Sequence, residues 1–131
     1  MSVDRPSWSD YFMDIADAVA KRSDCERDKV GAVIVKDRRI RATGYNGSPA
    51  GYPGCQSCPR RTIHKGSTQS YDNCVALHAE QNAIIHCDRE DMQGATIYVT
   101  RMPCITCMKL IMGSGMLRAV WPGMEVKTNC G

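Results

Sequence analysis

The sequence predicts a single α/β domain whose sheet is at least partly parallel. Three observations carry this. Helical and strand-like segments alternate after an initial hairpin, the pattern of a sheet covered by helices. The chain has 131 residues, inside the roughly 50–250 of one domain. Its composition, 43% hydrophobic and 24% charged, is that of a globular protein and excludes a disordered tail, a collagen-like repeat or a coiled coil. There is no internal repeat and no sign of a second domain.

The first helix is predicted over Trp8 to Arg22, with Ser7 as N-cap and Asp10 three residues on, close to a capping box. Trp8, Phe12, Ile15, Ala16 and Val19 recur at helical spacing and form an inward stripe. The apolar, β-branched run from Val30 to Val35 reads as a buried strand. Lys36 to Arg39 makes a polar turn, and Ile40 to Thr43 completes the hairpin. From Gly44 to about Asn73 the chain is rich in Gly, Pro, Ser and Asn; so long a segment without periodicity is expected to be functional or tied down. A second helix is predicted over Leu77 to Cys87, with Ala79, Ala83 and Ile84 inward. Gly94 opens a strand from Ala95 to Thr100, and Pro103 starts a helix over Cys104 to Met112, broken by Gly113 and Gly115. Met108, Met112 and Met116 read as a packing stripe. Ala119 to Trp121 is a last short strand, stopped by Pro122-Gly123.

No apolar run reaches the roughly 18 residues of a membrane span, and the N-terminus has no apolar stretch like that of a signal peptide. A cytoplasmic protein with no membrane partner is therefore expected. Seventeen basic against fourteen acidic residues give a net charge of +3, too weak to argue for a nucleic-acid partner. The eight cysteines fall below the roughly 8–10% of a disulfide scaffold. In the absence of a secretion signal they read better as metal ligands or catalytic thiols.

Two segments carry chemistry together: His78-Ala79-Glu80 and Pro103-Cys104-Ile105-Thr106-Cys107. Alone, Cys-x-x-Cys is ambiguous between zinc and redox chemistry, and His-x-Glu is only a polar helix start. Cysteines three apart at a helix N-terminus can face one metal, and the helix dipole favours their thiolates. A histidine from a neighbouring helix supplies a third ligand and leaves a tetrahedral zinc one open position, as in catalytic sites. Glu80, near the metal but not needed as a ligand, can take and return a proton. The competing reading is a closed zinc knuckle or a redox pair.

His-x-Glu followed by Pro-Cys-x-x-Cys is also the signature of zinc nucleobase deaminases. The chain resembles the cytidine deaminase superfamily over nearly its whole length. The matching segments are Val30 to Val35, Gly44 to Gly51, His78 to Ile84, and Tyr98-Val99-Thr100 leading into Pro103 to Cys107. The Gly-Tyr-Asn-Gly-x-Pro-x-Gly loop is similar to that of the deoxycytidylate (dCMP) branch. Riboflavin-pathway deaminases space their zinc cysteines more widely.

The resemblance implies a three-layer α-β-α sandwich around a mixed central sheet. It implies zinc on His78, Cys104 and Cys107, and Glu80 shuttling protons while activated water attacks C4 of cytosine, N3 is protonated and ammonia leaves, giving dUMP for thymidylate synthesis. It assigns Asn46 to the sugar, against the plainer reading of a left-handed turn residue before Gly47. It places the Ala79 N–H and the Pro103 carbonyl on the pyrimidine. A 5′-phosphate needs cationic or N–H partners, and Arg22, Arg27, Arg60 and Arg61 are candidates, although most arginines are simply solvated. The resemblance also suggests a second, structural zinc on Cys25 and Cys55, completed by Cys58 and Cys74 with His64 in reserve. Cys87, His86 and Cys130 belong to no motif and read as packing or surface residues.

Relatives continue past the segment matching Ala119 to Trp121 into another helix and strand. Only about ten residues follow here, too few for both, so the expectation is a sheet of four to five strands. Homo-oligomerisation, as a hexamer, and control by dCTP and dTTP are further implications of the resemblance. The alternatives left open are another cytosine substrate (a 5-substituted dCMP, dCTP or cytidine), a tRNA adenosine deaminase, and a non-enzymatic zinc module.

Overall fold

The computed structural model describes residues 4–23, 28–47 and 77–128. Cys25, Arg27, Cys55, Cys58, Arg60, Arg61, His64, Cys74 and Cys130 lie outside the described residues, and with them the second-zinc assignment and three of the four phosphate candidates. In chain order the elements are α1 (Trp8–Ala20), β1 (Gly31–Lys36), β2 (Arg39–Tyr45), α2 (Ala79–Ile85), α3 (Arg89–Met92), β3 (Thr96–Val99), α4 (Ile105–Gly113), β4 (Arg118–Trp121) and β5 (Met124–Lys127).

The five strands form one mixed sheet in the order β2-β1-β3-β4-β5. β1 runs antiparallel to both β2 and β3. β3 and β4 are parallel, with α4 as their crossover, and β4 and β5 are antiparallel. Because side chains alternate across a strand, each strand serves two layers. Val33, Val35, Tyr98 and Val120 pack with Phe12 and Ala16 of α1 on one face. Ala32, Ile34, Ala42, Ile97, Val99 and Ala119 pack with Ala79, Ala83 and Ile111 on the other, the face covered by α2 and α4. This is the expected three-layer sandwich.

Two glycines set how closely the layers approach. A Cβ on Gly31 would lie 2.1 Å from the Ala16 carbonyl oxygen of α1, and one on Gly44 would lie 2.3 Å from the Ala83 nitrogen of α2. Backbone cannot yield at such distances, so each helix rests directly on its strand.

Several expectations are corrected. Ser7 caps α1 as predicted, accepting the Asp10 N–H at 3.1 Å, but the helix ends at Ala20 and not at Arg22. Trp8 is 50% exposed and does not join the core; it stacks on Phe12 and carries the Arg38 guanidinium 5.0 Å over its ring. Of the methionine stripe, Met116 is buried, Met108 half-buried against the core and Met112 exposed. Pro122-Gly123 does not stop the sheet. It turns the chain, with Gly123 at φ +80°, and β5 returns along β4 to give the fifth strand without an intervening helix.

Candidate active site

His78 is the N-cap of α2 and Cys104 the N-cap of α4. The Gln81 side chain accepts the His78 backbone N–H at 2.8 Å, which fixes the entry into α2. At the other helix the Cys104 thiol accepts the Cys107 N–H at 3.4 Å, a side-chain cap on the first turn. These two starts meet. His78 Nδ1 lies 3.3 Å from the Cys107 sulfur and 3.6 Å from that of Cys104, and all three ligand atoms fall within 4.8 Å of one another.

The donor set fits zinc. Bond lengths of about 2.3 Å to sulfur and about 2.0 Å to nitrogen in a tetrahedral site imply nitrogen–sulfur gaps of about 3.6 Å, close to the two observed. Electrostatics point the same way. Glu80, only 4% exposed, stands beside Cys107, and burial pushes its carboxyl above the usual range despite a backbone hydrogen bond and the neighbouring His78. Burial, then Glu80 and Cys104, push the Cys107 thiol far up as well. Two buried acidic groups, Glu80 and Cys107, adjoin the exposed Cys104 thiol, and a divalent cation between them would favour their ionised forms.

Around this centre, Ala79 is fully buried and Pro103 is buried. The Gly47–Leu77 bridge brings the end of β2 beside His78: Gly47 donates to the Leu77 carbonyl at 3.1 Å and Leu77 returns a bond at 2.7 Å. Asn82 of α2 donates to the Tyr45 carbonyl at 2.6 Å. Asn46, between these two anchors, is therefore held against the start of α2.

Residues 6–122 match the family described as the cytidine and deoxycytidylate deaminase zinc-binding region. The chain belongs to this family.

Among its relatives in this deaminase family, the deoxycytidylate deaminase of Mycobacterium phage D29 is 57% identical over 127 residues, covering 90% of this chain and 96% of that protein. The deoxycytidylate deaminase of Schizosaccharomyces pombe is 41% identical over 120 residues, covering 89% of this chain but 37% of the yeast protein. The dCMP deaminase of cyanophage S-TIM5, crystallised with dCMP and dUMP, is 30% identical at a TM-score of 0.68; the match covers 91% of this chain and 83% of that one.

Within this deaminase fold the structure unites His78, Glu80, Cys104 and Cys107. Asn46 is absent from the positive-φ residues, so it is not a left-handed turn residue. Its Oδ1 accepts the Val30 N–H at 2.8 Å and its Nδ2 donates to the Asp28 carbonyl at 2.6 Å. One partner is a donor and the other an acceptor, so the amide has a single orientation, with one N–H and one lone pair to spare. Arg22 is exposed just beyond α1; its neighbour Ser23 donates to the Asn46 carbonyl at 2.6 Å. Cys87 is buried and His86 exposed, as residues outside any motif. Sequence reasoning missed Gln81, Asn82 and Thr100, whose Oγ1 accepts the Gly31 N–H at 3.1 Å. Gln81 had a signal, a glutamine at the third position of a helix.

Proposed function

We propose that this chain hydrolyses dCMP to dUMP and ammonia, with His78, Cys104 and Cys107 holding a catalytic zinc. The observation that carries the reading is the buried Glu80 carboxyl beside a His/Cys/Cys triad of tetrahedral spacing. A similar substrate is named for the phage relatives. When bound, zinc supplies Lewis acidity that makes water nucleophilic near neutral pH.

The residues of the chain account for the remainder. Overall, water adds its oxygen to C4, the C4–N bond breaks, and ammonia departs to leave a carbonyl. Glu80 accepts a proton from the water and returns it to N3, and a second proton goes to the departing amino nitrogen. Burial raises the pKa of Glu80, so the carboxyl takes up a proton more readily than a solvated carboxylate and can return it. The Ala79 N–H and the Pro103 carbonyl orient the ring. The spare donor and acceptor of Asn46 suit a sugar hydroxyl, which is itself both. The product feeds thymidylate synthesis.

A second, structural zinc on Cys25, Cys55, Cys58 and Cys74 is part of the same reading. So are assembly into a hexamer and binding of dCTP and dTTP as effectors. The decisive experiment is ammonia release from dCMP, dCTP, cytidine, 5-methyl-dCMP and adenosine. Preferred turnover of dCMP is expected, and turnover of dCMP no better than of adenosine overturns the substrate.

A further inference from the structure

A nucleotide monophosphate must be distinguished from its nucleoside by a group that touches the phosphate, and the described residues point to one outside the motifs. Arg101 follows β3 and stands two residues before Pro103 and three before Cys104, in the loop that delivers the metal-ligating cysteines. Its guanidinium is ion-paired through Nη1 with the Asp28 carboxylate. Asp28 is the residue whose carbonyl accepts the Asn46 amide. Arg101 thus lies one residue removed from the group assigned to the sugar, on the rim where the C-terminal end of β3 meets the entry to β1.

The cation is also accessible: its side chain is 55% exposed, against 34% for Asp28. A guanidinium has five N–H donors in a planar fork, and the Asp28 contact engages one nitrogen. Among the described residues no other partner takes the remaining nitrogens, which suit a planar or tetrahedral oxyanion. A half-exposed ion pair contributes little to stability, so the pair has no evident architectural need.

We infer that Arg101 binds the 5′-phosphate of the substrate, with Asp28 holding the guanidinium in place. The inference rests on the dCMP reading above, and it adds a residue to that site. Ligands at the carboxyl ends of strands are the general rule in α/β sheets, and Arg101 occupies such an end. Arg22, beside Ser23, is the rival cation on the same side.

The test is kcat/KM for dCMP and for deoxycytidine in the wild type and in Arg101→Leu, Arg101→Lys, Asp28→Asn and Arg22→Leu. Loss of a charge-assisted contact should lower the dCMP value about tenfold to a hundredfold in Arg101→Leu while leaving deoxycytidine within about twofold. Arg101→Lys should recover part of the preference. Asp28→Asn should lower it less than Arg101→Leu does, because Asp28 positions the guanidinium and is not itself a phosphate ligand. Equal losses on both substrates, or a loss in Asp28→Asn that matches Arg101→Leu, would reduce Arg101 to a positioning residue and overturn the assignment. Preference lost in Arg22→Leu and kept in Arg101→Leu would transfer the phosphate to Arg22. A wild type that turns over neither substrate would instead sink the dCMP reading.

Discussion

At the scale of the residue, the decisive contrast is between groups that offer ligand atoms and the one that moves protons. His78, Cys104 and Cys107 were legible because their spacing is a chemical requirement: two thiols one helical turn apart at a helix start, and an imidazole from another helix. Glu80 was legible from its place two residues after His78, but its burial belongs to the folded state. Replacing Glu80 by Gln keeps the shape and removes the proton carrier. Turnover should fall by about 10²–10⁴-fold with zinc content unchanged, measured by steady-state kinetics beside metal analysis. Unchanged turnover with zinc retained would remove Glu80 as the proton carrier and overturn the mechanism proposed for it. Asn46 shows what sequence does not disclose. Its neighbours suggested either a sugar contact or a turn, and only the bonds to Val30 and Asp28 fix how its amide faces.

At the scale of the element, helix and strand positions followed from periodicity, and the errors have physical causes. α2 starts two residues later than its apolar pattern suggests because His78 is its N-cap, and it ends at Ile85 with His86 as C-cap. Pro-Gly reads as a terminator, but with Gly123 at φ +80° the same pair turns the chain back along β4. The turn between β1 and β2 has Asp37 and Arg38 at φ 55° and 61°, a primed hairpin without glycine; the polar run announces the turn but not its type. The contact of β2 with α2 is the element on which the site depends, since α2 carries His78 and Glu80. Gly44→Ala should push the helix away, costing about 1–3 kcal/mol of stability and lowering turnover at the same time. Denaturant midpoints and kinetics on the same sample would check it; unaltered values for both would mean the helix is not seated on this glycine.

At the scale of the whole molecule, the sandwich brings two helix starts from distant parts of the chain to one point, so metal and fold are thermodynamically linked. Any ligand that binds only the native state stabilises it, by about 4 kcal/mol at a concentration 1,000 times its dissociation constant. Chelation should therefore lower the thermal midpoint, and readdition of zinc should restore it. Two zinc ions per chain are expected before chelation, and a count of one would remove the structural site from the proposal.

The strand order has a consequence for how copies of this molecule meet. β2 and β5 stand at the two margins of the sheet. One shows exposed Arg39 and Arg41, the other exposed Glu125 and Lys127. Charged margins discourage one sheet from templating the next. Crowded chains are thereby discouraged from joining edge to edge into fibres along these two strands.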